Sequence, residues 1–126
     1  MRYLLDTTVL IDHVRGVPGV IEVLGRLFSE PNDLYVCDVV VCEALSKGPD
    51  AELRAIGGLI AALEYVSTSP DASRWAGESR RRLQRSSPRR LGDALIAGVA
   101  WSLQATVLTR NPTDFEVQGV PVLAYS

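Results

Sequence analysis

Short apolar runs alternate with longer segments of helical pattern along the whole chain, and this alternation restricts the fold more than any other sequence feature. Strands are predicted at residues 2–5, 34–37, 65–66, 106–109 and 122–123. Helices are predicted at residues 8–14, 18–28, 39–46, 51–63, 71–86 and 93–103. Because parallel strands need a crossover connection, usually a helix, the alternation predicts an α/β fold with a central parallel sheet flanked by helices on both faces.

The length and composition are those of one globular domain. The chain has 126 residues, of which 47% are hydrophobic, so a single domain over residues 1–126 can bury a substantial core. No apolar stretch reaches the length of a bilayer span and no secretory signal pattern is present, so we expect a cytoplasmic protein that does not contact a membrane. A reducing compartment disfavours a disulfide between Cys37 and Cys42, and with the single His13 they are too few for an ordinary zinc site.

Four acidic residues lie at predicted element boundaries or within apolar sequence: Asp6, Glu43, Asp93 and Asp114. Asp6 directly follows the first predicted strand, and ligands of open parallel sheets bind outside the carboxyl ends of the strands. Taken alone, Asp6 and Asp93 fit helix caps, and Asp114 fits a turn. Glu43 lies in an apolar segment and is predicted to be buried, where an unpaired carboxylate is costly.

A cluster of these four carboxylates would favour a hard divalent cation. With no histidine or cysteine beside them, the donor set is all oxygen, which suits Mg²⁺ or Mn²⁺ rather than zinc. Without an ion, the carboxylates would repel and raise one another's pKa. We therefore predict that the four side chains converge in one pocket that binds a divalent metal.

Positive charge is concentrated in one segment, although the net charge of the chain is −2. Between positions 74 and 90, one acid, Glu78, accompanies the arginines Arg74, Arg80, Arg81, Arg82, Arg85, Arg89 and Arg90. On a helix, Arg74, Arg81 and Arg85 share a face, opposite a more apolar face made by Ala72, Trp75, Ala76, Ser79 and Leu83. The face is either simply solvated or binds phosphates, and an acidic pocket favours the second interpretation because it repels RNA unless cations lie nearby. The predicted RNA-binding residues are Arg74, Arg81, Arg85, Arg89 and Arg90.

Four motifs, taken in order, give the chain a resemblance to a known family. They are Leu4-Leu5-Asp6-Thr7-Thr8-Val9-Leu10-Ile11, then Glu43 on an early helix, then Asp93-Ala94-Leu95-Ile96-Ala97, then Leu108-Thr109-Arg110-Asn111-Pro112-Thr113-Asp114-Phe115. The pattern resembles a PIN-domain ribonuclease and, more narrowly, the VapC toxins of bacterial toxin–antitoxin pairs. No single motif is specific, but their order and spacing agree over essentially the whole chain.

The resemblance implies a three-layer PIN-like fold and an acidic pocket that holds one or two Mg²⁺ or Mn²⁺ ions. It implies that the catalytic residues are Asp6, Glu43, Asp93 and Asp114, with Asp6 and Asp93 binding metal. Many family members have Asp where this chain has Asn111, so the fourth acidic role shifts to Asp114. The hydroxyl of Thr8 matches a Ser/Thr that positions metal or phosphate, and Thr109 resembles a polar residue of the pocket.

The function expected from these features is metal-dependent hydrolysis of RNA phosphodiester bonds, in tRNA, rRNA or mRNA. Single-stranded or looped RNA is favoured because its bases are accessible. Two alternatives stay open: a housekeeping RNA-processing nuclease, and a catalytically degenerate module that binds RNA or a partner without cutting, which Asn111 would suit. A Ser-His-Asp site is excluded because His13 lacks a matching serine motif, and no phosphate-binding glycine loop is present.

The first two predicted helices and residues 53–63 have more apolar residues than one buried face needs. The apolar residues of the first two helices are Val9, Leu10, Ile11, Val14, Val20, Ile21, Val23, Leu24, Leu27 and Phe28. A partner helix could dock in a groove there. The resemblance implies that this partner is the tail of an antitoxin protein, which disturbs metal binding through an arginine or an acid. It also implies a homodimer built on other helices.

Overall fold

The fold, seen in a computed structural model that describes residues 1–84 and 90–126, alternates strands and helices. The strands are β1 (Arg2–Leu5), β2 (Asp33–Cys37), β3 (Glu64–Val66), β4 (Thr106–Thr109) and β5 (Val122–Ala124). The helices are α1 (Thr7–Val14), α2 (Pro18–Ser29), α3 (Asp38–Ala44), α4 (Asp50–Ala61), α5 (Pro70–Leu83), α6 (Leu91–Leu103) and α7 (Thr113–Glu116).

The five strands form one sheet in the order β3-β2-β1-β4-β5, and every neighbouring pair is parallel. Strand β1 occupies the centre, with Leu4 paired to Tyr35 of β2 and to Val107 of β4. All carboxyl ends therefore lie on the same edge of the sheet. The predicted α/β fold, a parallel sheet flanked by helices, is confirmed.

The core lies between the sheet and the helices. Leu4 and Leu5 of β1 and Val107 and Leu108 of β4 are fully buried, as the apolar strand runs predicted. Helix α6 is buried over most of its length, at Ala94, Ile96, Ala97, Gly98, Val99 and Ala100. Within residues 1–84 and 90–126, no helix has the length and apolar character needed to cross a bilayer.

Local signals set several element boundaries. The Ser69 hydroxyl accepts a 3.1 Å hydrogen bond from the backbone N–H of Ala72, and Pro70 follows it at the first position of α5. Gln104 adopts a left-handed conformation (φ 53°) where α6 ends, and Gly119 (φ 87°) does so in the turn between α7 and β5. These two residues reverse the chain, so that β4 and β5 run parallel to the rest of the sheet.

The structure corrects the sequence-based boundaries at two places. Helix α6 begins at Leu91, so Asp93 lies in its first turn instead of capping it, because Arg90 has the extended backbone of an N-cap residue. The short helix α7 replaces part of the predicted irregular segment. Both cysteines are free thiols; Cys37 is buried and Cys42 is exposed.

Candidate active site

Asp6 occupies the carboxyl end of the central strand, where β1 passes into α1. Its Oδ1 accepts a 2.7 Å hydrogen bond from the backbone N–H of Thr7, as an N-cap does. Its Oδ2 accepts hydrogen bonds from the hydroxyls of Thr8 at 3.2 Å and Thr109 at 2.8 Å. A carboxylate has about four acceptor positions, so these three donors leave room for one more partner.

Asp6 is buried, with 5% of its surface exposed. Burial raises the pKa of its carboxyl above the ordinary value, while the hydrogen bonds from Thr109, Thr7 and Thr8 oppose that rise. The negative charge of Glu43 adds a smaller upward push to this pKa. The capping prediction and the pocket prediction for Asp6 are therefore compatible, since one carboxylate both caps α1 and faces other acids.

The pKa of Asp93 shows that the predicted acids lie near one another. This pKa is raised from 3.8 to about 6, mainly by burial and further by repulsion from Asp114, Asp6 and Glu43, in that order. Positive charge on Arg90 opposes it. Carboxylates from four separate segments therefore lie near enough for three of them to raise the pKa of the fourth, and we call Asp6, Glu43, Asp93 and Asp114 the acidic site.

Glu43 lies in the acidic site but is exposed, so the prediction that it is buried was wrong. The segment 39–45 is apolar because Val40 and Ala44 turn inward, and Glu43 lies on the outer side of α3. Its Oε1 accepts a 2.7 Å hydrogen bond from the Thr7 hydroxyl. Its carboxylate also lies so close to Gly92 that a Cβ there would meet Oε2.

The end of β4 and the segment that leads into α7 position the remaining predicted residues. Thr109 is fully buried, and its hydroxyl accepts a 2.9 Å hydrogen bond from the backbone N–H of Asn111 while it donates to Asp6. Asn111 is exposed, and Asp114 is half-buried in α7. Among these, it is Asp114 whose negative charge raises the pKa of Asp93.

A second polar cluster supports the first and was not anticipated from the sequence. Asp12 of α1 is buried and accepts hydrogen bonds from Arg110 at 3.0 Å and from the Tyr125 hydroxyl at 2.7 Å. The backbone N–H of Arg110 also approaches the Thr8 hydroxyl at 3.4 Å. Nothing in the local pattern of Asp12 signalled this, because its partners are about a hundred residues away in the chain.

The predicted arginine face is present on α5. Arg74 and Arg81 are exposed, while Ala72, Ala76 and Ser79 are buried on the opposite side, as the helical spacing predicted. Arg90 is the N-cap residue of α6, close enough to lower the pKa of Asp93. The predictions for Arg85 and Arg89 lie outside the described residues.

The donor set suits a hard cation. In the described part of the chain, no three carboxylate, imidazole or thiol groups stand close enough to bind one ion together. Mg²⁺ usually keeps several waters and uses only one or two protein carboxylates, so it does not need three ligands already in contact. The oxygen-only set, the open acceptor position on Asp6 and the mutual repulsion around Asp93 all fit such an ion.

Comparison with known protein families identifies the family of this chain. A family model described as the PIN domain matches residues 3–118. The chain belongs to the PIN-domain family. Ribonuclease VapC19 of Mycobacterium tuberculosis is 32% identical over 114 residues, covering 89% of this chain and 90% of that protein. The PIN chain described here is therefore homologous to the VapC ribonuclease toxins of VapBC toxin–antitoxin systems.

Solved structures show the same fold. VapBC2 from Rickettsia felis, bound to a DNA fragment from its promoter, superposes with a TM-score of 0.87 at 22% identity, over 100% of both chains. DNA-bound VapBC from Salmonella typhimurium superposes with a TM-score of 0.82 at 25% identity, over 98% of each chain.

Most of the apolar residues that the sequence places on α1 and α2 are packed inside this PIN domain. Val9, Leu10, Val20, Leu24 and Leu27 are buried. Ile21 and Phe28 are exposed, at 44% and 48%. A cleft of about 360 Å³ opens between α1, α3 and α4, and it is lined by Ile11, Arg15, Glu43, Ala44, Lys47, Gly48, Glu52 and Ile56. Glu43, which belongs to the acidic site, thus forms part of the wall of this cleft.

Proposed function

We propose that this chain is a Mg²⁺- or Mn²⁺-dependent endoribonuclease toxin that hydrolyses RNA phosphodiester bonds and is inhibited by a cognate VapB-type antitoxin. The observation that carries the proposal is the position of Asp6 at the carboxyl end of the central strand, fixed by three hydrogen bonds, together with Asp93, whose pKa is raised to about 6 mainly by burial and further by the charges of Asp114, Asp6 and Glu43. Homology to a VapC ribonuclease supports the reaction class.

Asp6 and Asp93 are the residues proposed to hold the metal. Asp6 is fixed by three hydrogen-bond donors, which lock its rotamer and favour its ionised form. Asp93 lies in the first turn of α6, where the helix dipole also favours negative charge. A divalent ion bound there would lower the pKa of a water and neutralise charge that develops on the phosphate.

Glu43 is proposed to orient the attacking water and accept its proton. The Thr7 hydroxyl holds Oε1, so the carboxylate is fixed with Oε2 toward Gly92. Glu43 is exposed, so it can exchange the proton with solvent after each turnover. Asp114 of α7, whose charge acts on Asp93, is proposed to complete the site and would help to hold a cation there.

RNA is proposed to approach along the arginine face of α5 toward Arg90, with Arg85 and Arg89 taking part. Exposed guanidinium groups bind the phosphate backbone without reading sequence, and they offset the repulsion between RNA and the acidic site. Helix α5 packs directly against α6. Arg74 and Arg81 lie on the exposed face of α5.

The antitoxin is proposed to bind in the cleft between α1, α3 and α4. A segment lying there would cover Glu43, and its own charged side chain could reach the acidic site. Inhibition then follows from occlusion of a catalytic carboxylate. In a co-expression assay, the double variant Arg15→Glu, Lys47→Glu should lose antitoxin capture and growth rescue. The matched variant Arg26→Glu, Arg54→Glu, with the same charge change outside the cleft, should keep both.

A homodimer is the proposed oligomeric state. Trp101 remains 47% exposed although it stacks on Trp75 at a centroid distance of 6.0 Å, and such large exposed aromatics are typical of interfaces. Light scattering at tens of micromolar should give the mass of two chains, and a monomer would contradict this part of the proposal.

Cleavage of a mixed RNA substrate with Mn²⁺ present and absent tests the reaction. The wild-type chain should cut only with Mn²⁺, Asp6→Asn and Asp93→Asn should not cut, and Asp33→Asn, at the exposed start of β2, should cut normally. Binding without cutting in the wild type would support a degenerate binding module. Cutting that neither arrests growth nor responds to an antitoxin would support a housekeeping nuclease.

A further inference from the structure

Gln118 is a buried amide that lies behind the acidic site. It follows α7, and only 2% of its surface is exposed. Its Nε2 donates hydrogen bonds to the backbone carbonyl of Asp114 at 2.8 Å and to that of Asp93 at 3.4 Å. Its Oε1 accepts a 2.8 Å hydrogen bond from the hydroxyl of Ser79 on α5, which is also buried.

These hydrogen bonds connect three helices behind the acidic site. Asp93 lies in the first turn of α6, Asp114 belongs to α7, and Ser79 lies on the inner face of α5. The two carbonyls that share the amide belong to two acids that repel each other, since Asp114 is the leading charge that raises the pKa of Asp93.

The burial of the Gln118 amide needs a structural reason beyond filling space in the core. Burying it costs free energy unless each polar atom is hydrogen-bonded, and an apolar side chain of similar volume would fill the same position without that cost. The neighbouring Phe115 shows that this part of the core accepts an apolar side chain, because it is 1% exposed. Unlike an apolar side chain, the amide forms directional hydrogen bonds that link the backbone at Asp93 to the backbone at Asp114.

We propose that Gln118 is a positioning residue that fixes the spacing of Asp93 and Asp114 for cation binding, with Ser79 orienting its amide. This inference rests on the proposed metal-dependent function. Gln118 does not contact substrate or cation; it acts through the two acids. Outer residues that orient metal ligands typically change metal affinity by about 10–100-fold when they are removed.

The decisive variant is Gln118→Met, which keeps the length of the side chain and removes both hydrogen-bonding groups. Mn²⁺ affinity, measured by electron paramagnetic resonance on the full chain, should fall by about 10-fold or more. Cleavage should lose kcat, with the KM for RNA little changed. Ser79→Ala should weaken Mn²⁺ binding less, and it should add nothing in the Gln118→Met background, because the hydroxyl acts only through the amide.

Val99→Ala supplies the control for general destabilisation. Val99 is fully buried on α6 and far along the helix from Asp93, so its truncation should lower the melting temperature without changing Mn²⁺ affinity. Equal Mn²⁺ affinity in wild type and Gln118→Met would overturn the inference, and so would an equal loss of affinity in Val99→Ala.

A second measurement does not depend on metal. In a crystal structure of metal-free Gln118→Met, the carbonyl carbons of Asp93 and Asp114 should lie about 1 Å further apart than in the wild type, a displacement large enough to impair catalysis. An unchanged separation would refute the positioning role. If the wild type binds no Mn²⁺ but the separation widens in the variant, the proposed cofactor is wrong and the positioning role stands.

Discussion

The Thr109 hydroxyl donates a 2.8 Å hydrogen bond to Oδ2 of Asp6, so the ends of the two central strands meet at one carboxylate. Both side chains are buried. Strand β4 pairs with β1 in parallel register, and that register places residue 109 beside residue 6, although 103 positions separate them in sequence. The hydrogen bond favours the ionised carboxylate, in opposition to burial.

Thr109→Val should therefore move the acid limb of the pH–activity profile to higher pH. Valine keeps the shape and removes the donor, so the pKa of Asp6 rises further above its ordinary value. The free energy of unfolding should fall by about 1–3 kcal/mol, the usual cost when a buried polar group loses its hydrogen-bond partner. The profile of Thr106→Val, an equivalent change at the other end of β4, should match the wild type. A Thr109→Val profile that superposes on the wild type would show that this bond does not tune Asp6.

The raised pKa of Asp93 makes metal-free stability depend on pH. The pKa is about 6 in the folded state against an ordinary 3.8, so the folded state binds the proton more tightly than the unfolded chain does. Below about pH 3 both states are protonated and no penalty exists; as pH rises from there to about 6 the unfolded chain releases its proton first and stability falls. Above about pH 6 the penalty is complete.

Asp93→Asn should consequently be more stable than the wild type at pH 7.5, with the difference vanishing near about pH 3. Urea denaturation at several pH values measures it, and saturating Mn²⁺ should cancel the wild-type penalty because a cation favours the ionised carboxylate. Asp33→Asn, at the exposed start of β2, should show no such gain in stability at pH 7.5. A constant difference across the pH range would mean that Asp93 has an ordinary pKa.

The arginine face should control the salt dependence of RNA binding. Removing one side chain that binds a phosphate of single-stranded RNA reduces the slope of log K against log salt by about 0.7, so Arg74→Gln with Arg81→Gln should reduce it by about 1.4. Fluorescence anisotropy on unrelated RNA sequences, without divalent metal to prevent cleavage, gives both slopes. Arg26→Gln is a matched control, because Arg26 and Arg74 are both exposed and each pairs with an acid one turn away. Affinity that changes for only one sequence would indicate base recognition instead.

The sequence predicted what depends on local pattern and strand direction. Asp6 follows an apolar run, and parallel strands place that position at the ligand-binding edge, so its location could be inferred without coordinates. The exposure of Glu43 could not be inferred from the sequence. Helix α3 has only seven residues, and it turns this carboxylate outward while the apolar neighbours pack inward. Gln118 gave no signal at all, since its three partners lie on α5, α6 and α7 and the role exists only after those helices pack.

A substitution at Gly92 should affect helix stability and activity in different ways, because the absence of a side chain at this position makes room for the Glu43 carboxylate. Its backbone is ordinary helix, so alanine fits the conformation, and replacing a helical glycine stabilises by up to about 1 kcal/mol. A Cβ at this position would nevertheless displace Oε2 of Glu43 and strain the hydrogen bond from Thr7. Gly92→Ala should therefore keep or raise the melting temperature while kcat falls by about 10–100-fold, the range expected for a misplaced catalytic group.

Gly77→Ala provides the matched control on α5. A Cβ there would meet no atom within 4 Å, so this variant should gain similar stability and cut RNA at the wild-type rate. Thr7→Val should reproduce part of the loss seen in Gly92→Ala, because it releases the same carboxylate from its other side. Initial cleavage rates at saturating Mn²⁺ and thermal melts of all three variants measure the activity and the stability that this prediction compares. Full activity in Gly92→Ala would mean that the position of Glu43 is not critical and that another member of the acidic site accepts the proton.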